Sequence, residues 1–202
     1  MDLFKAIEDV IHDLERYHDV YTESHECRTG KLMFILGEAL GFDKAFCTSL
    51  ERAGSIHDIG KLAIPEKILE KPGPLSAFER EVVQLHAEIG YKLTKKLKHP
   101  LAELASNITL THHEAYDGSG YPYGLKGKNI PLEGQICSIC DVYDALVSRR
   151  PYREARSHEM VIQMLQDSDP NGMANKFAPK LLDAFIGIHD QIIQSYITSP
   201  TG

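Results

Sequence analysis

The sequence lacks an apolar run long enough to cross a lipid bilayer, and its first nineteen residues mix acidic side chains with apolar ones. A membrane span needs about twenty consecutive apolar residues, and a signal peptide needs an apolar core of its own. We therefore expect neither a membrane span nor a signal peptide. The expected location is cytoplasmic.

The sequence is also short of cysteine and of positive charge. Four cysteines among 202 residues are too few for a disulfide framework. A net charge of −7 argues against a nucleic-acid-binding groove. It does not exclude an anionic substrate, because bound metal ions reverse the sign of the local charge. The remaining composition is that of one soluble globular domain.

Apolar residues recur at helical spacing along nearly the whole chain, and no segment alternates with the two-residue period of a strand. The pattern predicts an all-α fold, a compact bundle of about seven to eight helices. We expect the helix that Asp43 caps to end near Gly60 and a Gly/Pro-rich loop to cover residues 117–131. The predicted helices begin at or near Leu3, Ser24, Asp43, Ser76, Pro100, Leu132, Ser157 and Pro179.

The pair His-Asp occurs four times, so the pair alone indicates nothing. His12, His18 and His189 lie in amphipathic terminal segments, and we interpret them as solvated helix faces. His57-Asp58 differs because it follows an apolar helix face and precedes Ile-Gly-Lys. A charge buried at that position needs a partner.

Five histidines and two aspartates lie on apolar helix faces or at helix ends, distributed over five predicted helices. One such residue is more often a core histidine or a helix-pinning acid than a ligand, but seven together favour a shared metal site. Seven ligands are too many for one tetrahedral zinc ion, and a carboxylate can bridge two ions. Two divalent ions would leave the site electropositive and able to hold phosphates. The candidate ligands are His25, His57, Asp58, His86, His112, His113 and Asp141.

Two further groups of residues have a plain structural interpretation beside the chemical one. Cys137 and Cys140 have the spacing of a metal or redox motif, but in the middle of a helix they are better explained as small buried apolar residues. Carboxylates near the candidate ligands could orient the imidazole rings. The candidates for that role are Glu114, Asp117 and Asp144.

Six motifs cover about residues 19 to 156: YTESHECR, HDIGKLAIPEKILEKPGPLS, LHAEIG, HHEAYDGSGYPYGLKGKNIP, CDVYDAL and SRRPYREA. Together they resemble the HD-GYP family, a branch of the HD phosphohydrolase superfamily. Its Gly-Tyr-Pro motif matches Gly120, Tyr121 and Pro122. The resemblance implies an HD-type helical bundle, with an N-terminal helix in residues 1–20 and the HD-GYP catalytic domain in residues 21–202.

The resemblance implies that the chain hydrolyses cyclic di-GMP to linear pGpG, and in some members on to GMP, through a hydroxide activated by two metal ions, with Fe or Mn expected. One ion would be held by His25, His57, Asp58 and Asp141. Asp58 would bridge to a second ion held by His86, His112 and His113. Asp58 and Lys61 would be the catalytic residues. The residues expected to contact substrate are Lys61, Gly120, Tyr121, Pro122, Arg150 and Arg153.

The sequence departs from the family at two points. Some members hold a third ion with a glutamate four residues before the first ligand histidine, and because that position is Tyr21 here we expect two ions. Members usually carry a sensory domain ahead of this one, whereas about twenty residues precede the motifs here. The chain is therefore either a stand-alone enzyme or part of a longer protein, and its first helix either packs on the bundle or pairs two protomers.

Three alternatives stay open for function and partners. The enzyme could prefer 3′,3′-cyclic GMP-AMP or another nucleotide. The chain could instead be a non-catalytic module that binds nucleotide or protein. Since family members can dock a diguanylate cyclase through the Gly-Tyr-Pro loop, that partner and a homodimer are both compatible with the resemblance.

Overall fold

The computed structural model describes residues 20–148, 154–167 and 172–198, with residues 20–24 and 197–198 described by their backbone only. These residues form nine α-helices and no strand, which confirms the all-α fold class. None of the helices in these ranges is long and apolar enough to cross a membrane. The helices are α1 (Val20–Ala39), α2 (Lys44–Gly54), α3 (Glu66–Leu69), α4 (Ala77–Thr94), α5 (Ala102–Thr111), α6 (Leu132–Val147), α7 (His158–Gln166), α8 (Pro179–Gly187) and α9 (His189–Thr198).

The described residues contain nine helices rather than seven or eight because two short-range features were not foreseen. The four-residue helix α3 follows Pro65 in a segment without a helical apolar stripe. The tail divides into α8 and α9 at Ile188, whose φ of −108° and ψ of 15° leave the helical region. The helix predicted from Leu3 lies outside the described residues.

Three of the predicted helix starts rest on capping side chains, at Asp43, Ser76 and Ser157, and the structure confirms these three. The start predicted near Ser24 was wrong, because α1 already begins at Val20. Asp43 accepts a hydrogen bond from the backbone N–H of Phe46, and Ser157 accepts one from Met160. At α4 the capping box is complete: Ser76 Oγ accepts from Glu79 N at 3.2 Å, and Glu79 Oε2 accepts from Ser76 N at 2.7 Å. Such caps satisfy backbone donors that have no partner inside the helix.

Helix α2 ends at Gly54, not near Gly60 as predicted. A turn and a 3-10 helix (Ile59–Ala63) follow, so His57 and Asp58 lie on irregular backbone. Neighbouring helical residues point about 100° apart, and a turn is needed to direct both side chains into one site. Gly60 lets this turn lie against α4, because a Cβ atom there would be 1.9 Å from the carbonyl oxygen of His86.

The core lies where α1 packs against α2 and α6, and where α5 packs against α4 and α6. Its centre is apolar and closed to solvent, with Leu36, Leu50 and Ile108 fully buried. Cys137 and Cys140 are free thiols buried in the same core, which confirms their interpretation as packing residues. The helices thus form a rigid frame that fixes the position of the polar side chains at their ends.

Replacement Ser76→Ala is expected to lower the free energy of unfolding by about 1 kcal/mol, because the first turn of α4 loses its cap. Urea unfolding measures this loss. Ser49→Ala is the matched control: Ser49 lies inside α2 and its hydroxyl donates to the Ala45 carbonyl, so its removal should not destabilise the protein. Equal losses in both variants would contradict the assignment of the cap.

Candidate metal centre

The seven candidate ligands come from five separate segments and converge in two adjacent groups. In each group the potential ligand atoms lie within 4.8 Å of one another. The first group consists of His25, His57 and Asp141. The second group consists of Asp58, His86, His112 and His113.

Asp58 lies between the two groups and presents one carboxylate oxygen to each. Its Oδ1 is 3.2 Å from His86 Nε2 and 3.6 Å from His112 Nε2. Its Oδ2 faces the other way, 3.5 Å from His57 Nε2. A carboxylate in this position has the geometry of a ligand that can be shared by two ions.

Three of the imidazole rings are oriented by the backbone of their own helical turn. Nδ1 of His57 donates to the Gly54 carbonyl at 2.9 Å, and Nδ1 of His86 donates to the Val83 carbonyl at 2.6 Å. His112 does the same with the Ile108 carbonyl at 3.0 Å. A carbonyl oxygen can only accept, so Nδ1 carries a proton, and in the neutral ring the lone pair is then on Nε2. The three Nε2 atoms are therefore prepared as metal ligands.

His25 is oriented by a side chain instead. Its Nδ1 lies 2.6 Å from Asp144 Oδ2, and its Nε2 lies 3.0 Å from Asp141 Oδ1. Asp144 therefore lies beside a candidate ligand, as predicted. Carboxylate–histidine pairs of this kind fix the orientation of a ligand ring.

The other two carboxylates that were proposed to orient imidazoles accept hydrogen bonds from backbone N–H groups instead. Glu114 is buried and accepts from the backbone N–H groups of Tyr123 and Leu125, each at 2.9 Å. Asp117 is exposed and accepts from Ser119 N at 2.8 Å, so it stabilises a surface turn. The prediction was wrong for both, because their partners lie in the loop that follows α5.

The charge states of the histidines differ between positions. Burial lowers the pKa of His57 to about 4 and holds the pKa of His113 well below its usual value, so both are neutral at neutral pH. Burial alone would lower the pKa of His25 as well, but its hydrogen bonds with Asp141 and Asp144 outweigh burial and raise the pKa to about 9. In the metal-free site His25 therefore carries a proton, which an arriving ion must displace.

The two site carboxylates are charged although they are buried. Burial would raise the pKa of Asp58, but the charge of Lys61 holds it well below its usual value. The hydrogen bond with His25 likewise lowers the pKa of Asp141 against the effect of burial. Lys61 Nζ donates to Asp58 Oδ2, and the lysine side chain remains 34% exposed.

The donor set fits a bound metal ion. His57 Nε2 and Asp58 Oδ1 are buried without a hydrogen-bond partner, an arrangement that costs free energy unless something binds there. Imidazole nitrogen and carboxylate oxygen are ligands that Fe, Mn and Zn all accept. A cation between these atoms would satisfy both of them.

The adjacent histidines His112 and His113 reach the same group because the helix stops beneath them. Helix α5 ends at Thr111, His112 caps it, and the two ring centroids lie only 4.0 Å apart. The ring of Tyr121 stacks on His113, with centroids 4.6 Å apart and planes 29° from parallel. The end of the helix thus allows two neighbouring side chains to serve one site.

The Gly120-Tyr121-Pro122 segment lies against the second group through close backbone contact. Tyr121 N donates to the His113 carbonyl at 3.1 Å. A Cβ atom at Gly120 would lie 2.5 Å from that oxygen and 2.3 Å from the nitrogen of Ala115, so only glycine fits. The peptide bond between Tyr121 and Pro122 is cis.

The structure thus brings Lys61, Gly120, Tyr121 and all seven candidate ligands together. Arg150 and Arg153 lie outside the described residues, and so does the side chain of Tyr21. The roles assigned to these residues stay predictions.

Two contacts of Asp144 were missed in the sequence. Arg28 Nε donates to Asp144 Oδ1 at 2.7 Å, and Tyr196 donates to the same oxygen at 2.5 Å. The spacing of three residues from His25 places Arg28 on the same helix face and could have suggested it. Tyr196 lies on α9, and no local pattern indicates its contact.

Comparison with known proteins leads to the same family as the sequence motifs. The model of the HD domain family matches residues 9–172. The chain is 36% identical over 194 residues to the cyclic di-GMP phosphodiesterase of Thermotoga maritima, and the match covers 96% of this chain and 51% of that protein. It is 37% identical over 175 residues to 3'3'-cGAMP-specific phosphodiesterase 2 of Vibrio cholerae, covering 85% of this chain and 32% of that protein. The chain therefore spans about half, or less, of these relatives.

Solved structures share the fold at lower identity. The HD domain of the L. monocytogenes phosphodiesterase PgpH, in complex with cyclic-di-AMP, matches with a TM-score of 0.64 at 16% identity, covering 95% of this chain and 99% of that one. Bd1817, a HDG"Y"P protein from Bdellovibrio bacteriovorus, matches with a TM-score of 0.63 at 18% identity, covering 84% and 52%. At these identities the likeness supports the fold alone.

Replacement Asp144→Asn is expected to weaken the binding of one metal ion about 10- to 100-fold, because His25 loses the carboxylate that orients it. Manganese binding to the metal-free protein, followed by calorimetry, measures the two affinities. Asp117→Asn is the control, since that carboxylate only stabilises an exposed turn. Unchanged binding of both ions by the Asp144→Asn protein would contradict the role of Asp144.

Proposed function

Because this chain belongs to the HD domain family, in its HD-GYP branch, we propose that it is a metal-dependent phosphodiesterase that hydrolyses cyclic di-GMP to linear pGpG. The observation that carries the proposal is the position of Asp58, whose two oxygens face two groups of imidazole nitrogens. The name of the Thermotoga maritima relative supports the choice of substrate. Residues 21–202 are proposed as the catalytic unit of a cytoplasmic protein, with a helix in residues 1–20.

Each group would hold one divalent ion, with Fe or Mn expected. The first group would share Asp58 Oδ2, and the second group would use Asp58 Oδ1. When bound, two such ions polarise phosphoryl oxygens and lower the pKa of water. We expect two ions rather than three because Tyr21 replaces the glutamate that holds a third ion in some members.

Lys61 is a positively charged side chain beside the candidate metal ligands and is not one of them. Its Nζ donates to Asp58 Oδ2, and the partly exposed side chain can reach a phosphate placed beside the two groups. Hydrolysis of a phosphodiester increases the negative charge on the non-bridging oxygens. A fixed cation stabilises that charge without reorganisation at the moment of reaction.

Tyr121 forms the edge of the site that faces substrate. Stacking on His113 fixes the ring, and burial raises the pKa of its hydroxyl, so the group stays protonated. It can therefore donate a hydrogen bond to a phosphate oxygen. Gly120 and Pro122 would hold it in place, and Arg150 and Arg153 are proposed to bind the substrate phosphates as bidentate donors.

One alternative substrate has specific support. A relative that is 37% identical is named a 3'3'-cGAMP-specific phosphodiesterase, which makes 3′,3′-cyclic GMP-AMP the second candidate. The non-catalytic module is less favoured, since all seven candidate ligands converge. Continued hydrolysis to GMP, docking of a diguanylate cyclase and formation of a homodimer stay predictions.

Turnover tests the proposed function directly. The metal-free protein is loaded with Fe(II) or Mn(II) without oxygen and given cyclic di-GMP and 3′,3′-cyclic GMP-AMP in separate reactions, and the products are separated by chromatography. We expect pGpG from cyclic di-GMP. Faster hydrolysis of cyclic GMP-AMP would favour the second substrate, and hydrolysis of neither would favour the non-catalytic module.

Replacement Lys61→Met should lower kcat about 100-fold while both ions remain bound, because a cation beside the phosphate is lost and no ligand is removed. Metal content and kcat are measured on the same preparation. Lys92→Met is the control, since Lys92 is a surface residue of α4 that pairs with Glu88. Loss of metal together with activity would contradict a role for Lys61 in charge stabilisation.

A further inference from the structure

Asp144 receives hydrogen bonds from two other helices and from the residue that follows its own helix, although it is fully buried. On α1, His25 Nδ1 lies 2.6 Å from its Oδ2, and Arg28 donates from Nε and Nη2 at 2.7 and 3.0 Å. Just after α6, Ser148 Oγ donates at 3.3 Å. On α9, Tyr196 donates to Oδ1 at 2.5 Å. The carboxylate is therefore fixed by a full set of donors.

His25 depends on this carboxylate for its orientation, whereas three of the other ligand histidines depend on the backbone. His57, His86 and His112 are oriented by carbonyl oxygens of their own helical turns. His25 is oriented by a residue 119 positions away, so its ring is only as well placed as Asp144 is. A shift of that carboxylate would move the nitrogen that faces Asp141.

Tyr196 can hold the carboxylate because its own ring is confined. The ring meets the imidazole of His158 at 5.1 Å and the ring of Tyr143 at 6.2 Å, both in edge-on contacts. Packed aromatic rings leave the Tyr196 hydroxyl little freedom to leave Asp144.

We propose that Tyr196 is a positioning residue of the metal centre: its hydroxyl fixes Asp144, Asp144 fixes the His25 ring, and α9 thereby sets the affinity of the first group for its ion. Through Asp144, α9 at the end of the described residues is thus connected to the ligand His25 on α1. This inference rests on the proposed function only in requiring that the two groups bind ions. It does not require that the bound ions hydrolyse a particular substrate.

The chain offers a close control for the loss of one buried phenol. Tyr196→Phe removes the hydroxyl that reaches Asp144 and keeps the ring. Tyr143→Phe removes a neighbouring buried hydroxyl whose hydrogen bond is to His158 and not to Asp144. A purely structural role for Tyr196 would make the two variants behave alike.

Manganese binding to the metal-free full chain, measured by calorimetry together with the free Mn(II) EPR signal, tests the proposal. We expect Tyr196→Phe to weaken one of the two ions about tenfold, the lower end of the effect of residues that support a ligand, while the other ion changes less than twofold. Tyr143→Phe should leave both affinities within twofold. Thermal unfolding of the metal-free proteins should show similar losses for the two variants.

A second pair of variants assigns the affected ion. In a His113→Ala background the second group is incomplete, so the tighter remaining ion belongs to the first group, and Tyr196→Phe should again weaken it about tenfold. In a His57→Ala background the same change should have less than a twofold effect. The reverse pattern would overturn the proposal.

Three outcomes separate this inference from the proposed function. If Tyr196→Phe leaves both affinities unchanged, or if Tyr143→Phe weakens them as much as Tyr196→Phe does, the inference is wrong whatever the enzyme hydrolyses. If the parent binds two ions and Tyr196→Phe weakens one, but no cyclic dinucleotide is hydrolysed, the proposed function fails and the inference stands. A parent protein that binds fewer than two ions overturns both.

Discussion

A buried carboxylate with one oxygen facing each of two sets of imidazoles is the constraint on which the site depends. Asp58 is 3% exposed and charged, with His86 on one side and His57 on the other. A buried charge of this kind is tolerated only with close partners of opposite sign. Lys61 supplies one positive charge in the metal-free site. Divalent ions would supply more, which explains why several imidazole nitrogens point at one acid.

Two of the helices meet this constraint by ending at the site, whereas His25, His86 and Asp141 lie within longer helices. Helix α2 stops at Gly54, and the turn that follows aims His57 and Asp58 inward. Helix α5 stops at Thr111 and releases His112 and His113 in the same way. At these two ends the carbonyls of Gly54 and Ile108 accept from Nδ1 of His57 and His112 in addition to a backbone N–H. Helix ends therefore supply both the bend and the tautomer that a metal ligand needs.

Much of the fold could be predicted from local signals. The bounds of α6 and the capping box of α4 follow from residues within a few positions of one another. The ligand histidines could also be found, because a polar residue on an apolar helix face is conspicuous in a sequence. The early end of α2 could not be found, because it depends on Gly60 approaching the backbone of α4, a contact between helices distant in sequence.

The partners of the carboxylates were harder to predict for the same reason. Asp144 was found because it follows Asp141 by three residues on one helix face. Glu114 was assigned to an imidazole although it holds Tyr123 and Leu125, since the path of the loop decides which donors it meets. Tyr196 reaches Asp144 only through the packing of α9, and nothing near it in the sequence marks the contact. The residues that can bind metal are therefore predictable from residue type and local pattern, whereas the hydrogen-bond partners of each carboxylate depend on tertiary structure.

The central claim is that Asp58 joins the two groups into one binuclear centre, and EPR spectroscopy of the protein loaded with two Mn(II) ions tests it most directly. Ions that share a carboxylate a few ångströms apart are magnetically coupled. The account predicts an exchange-coupled multiline signal in the parent protein that is lost in the Asp58→Ala protein. Two uncoupled six-line manganese signals in the parent protein would contradict it.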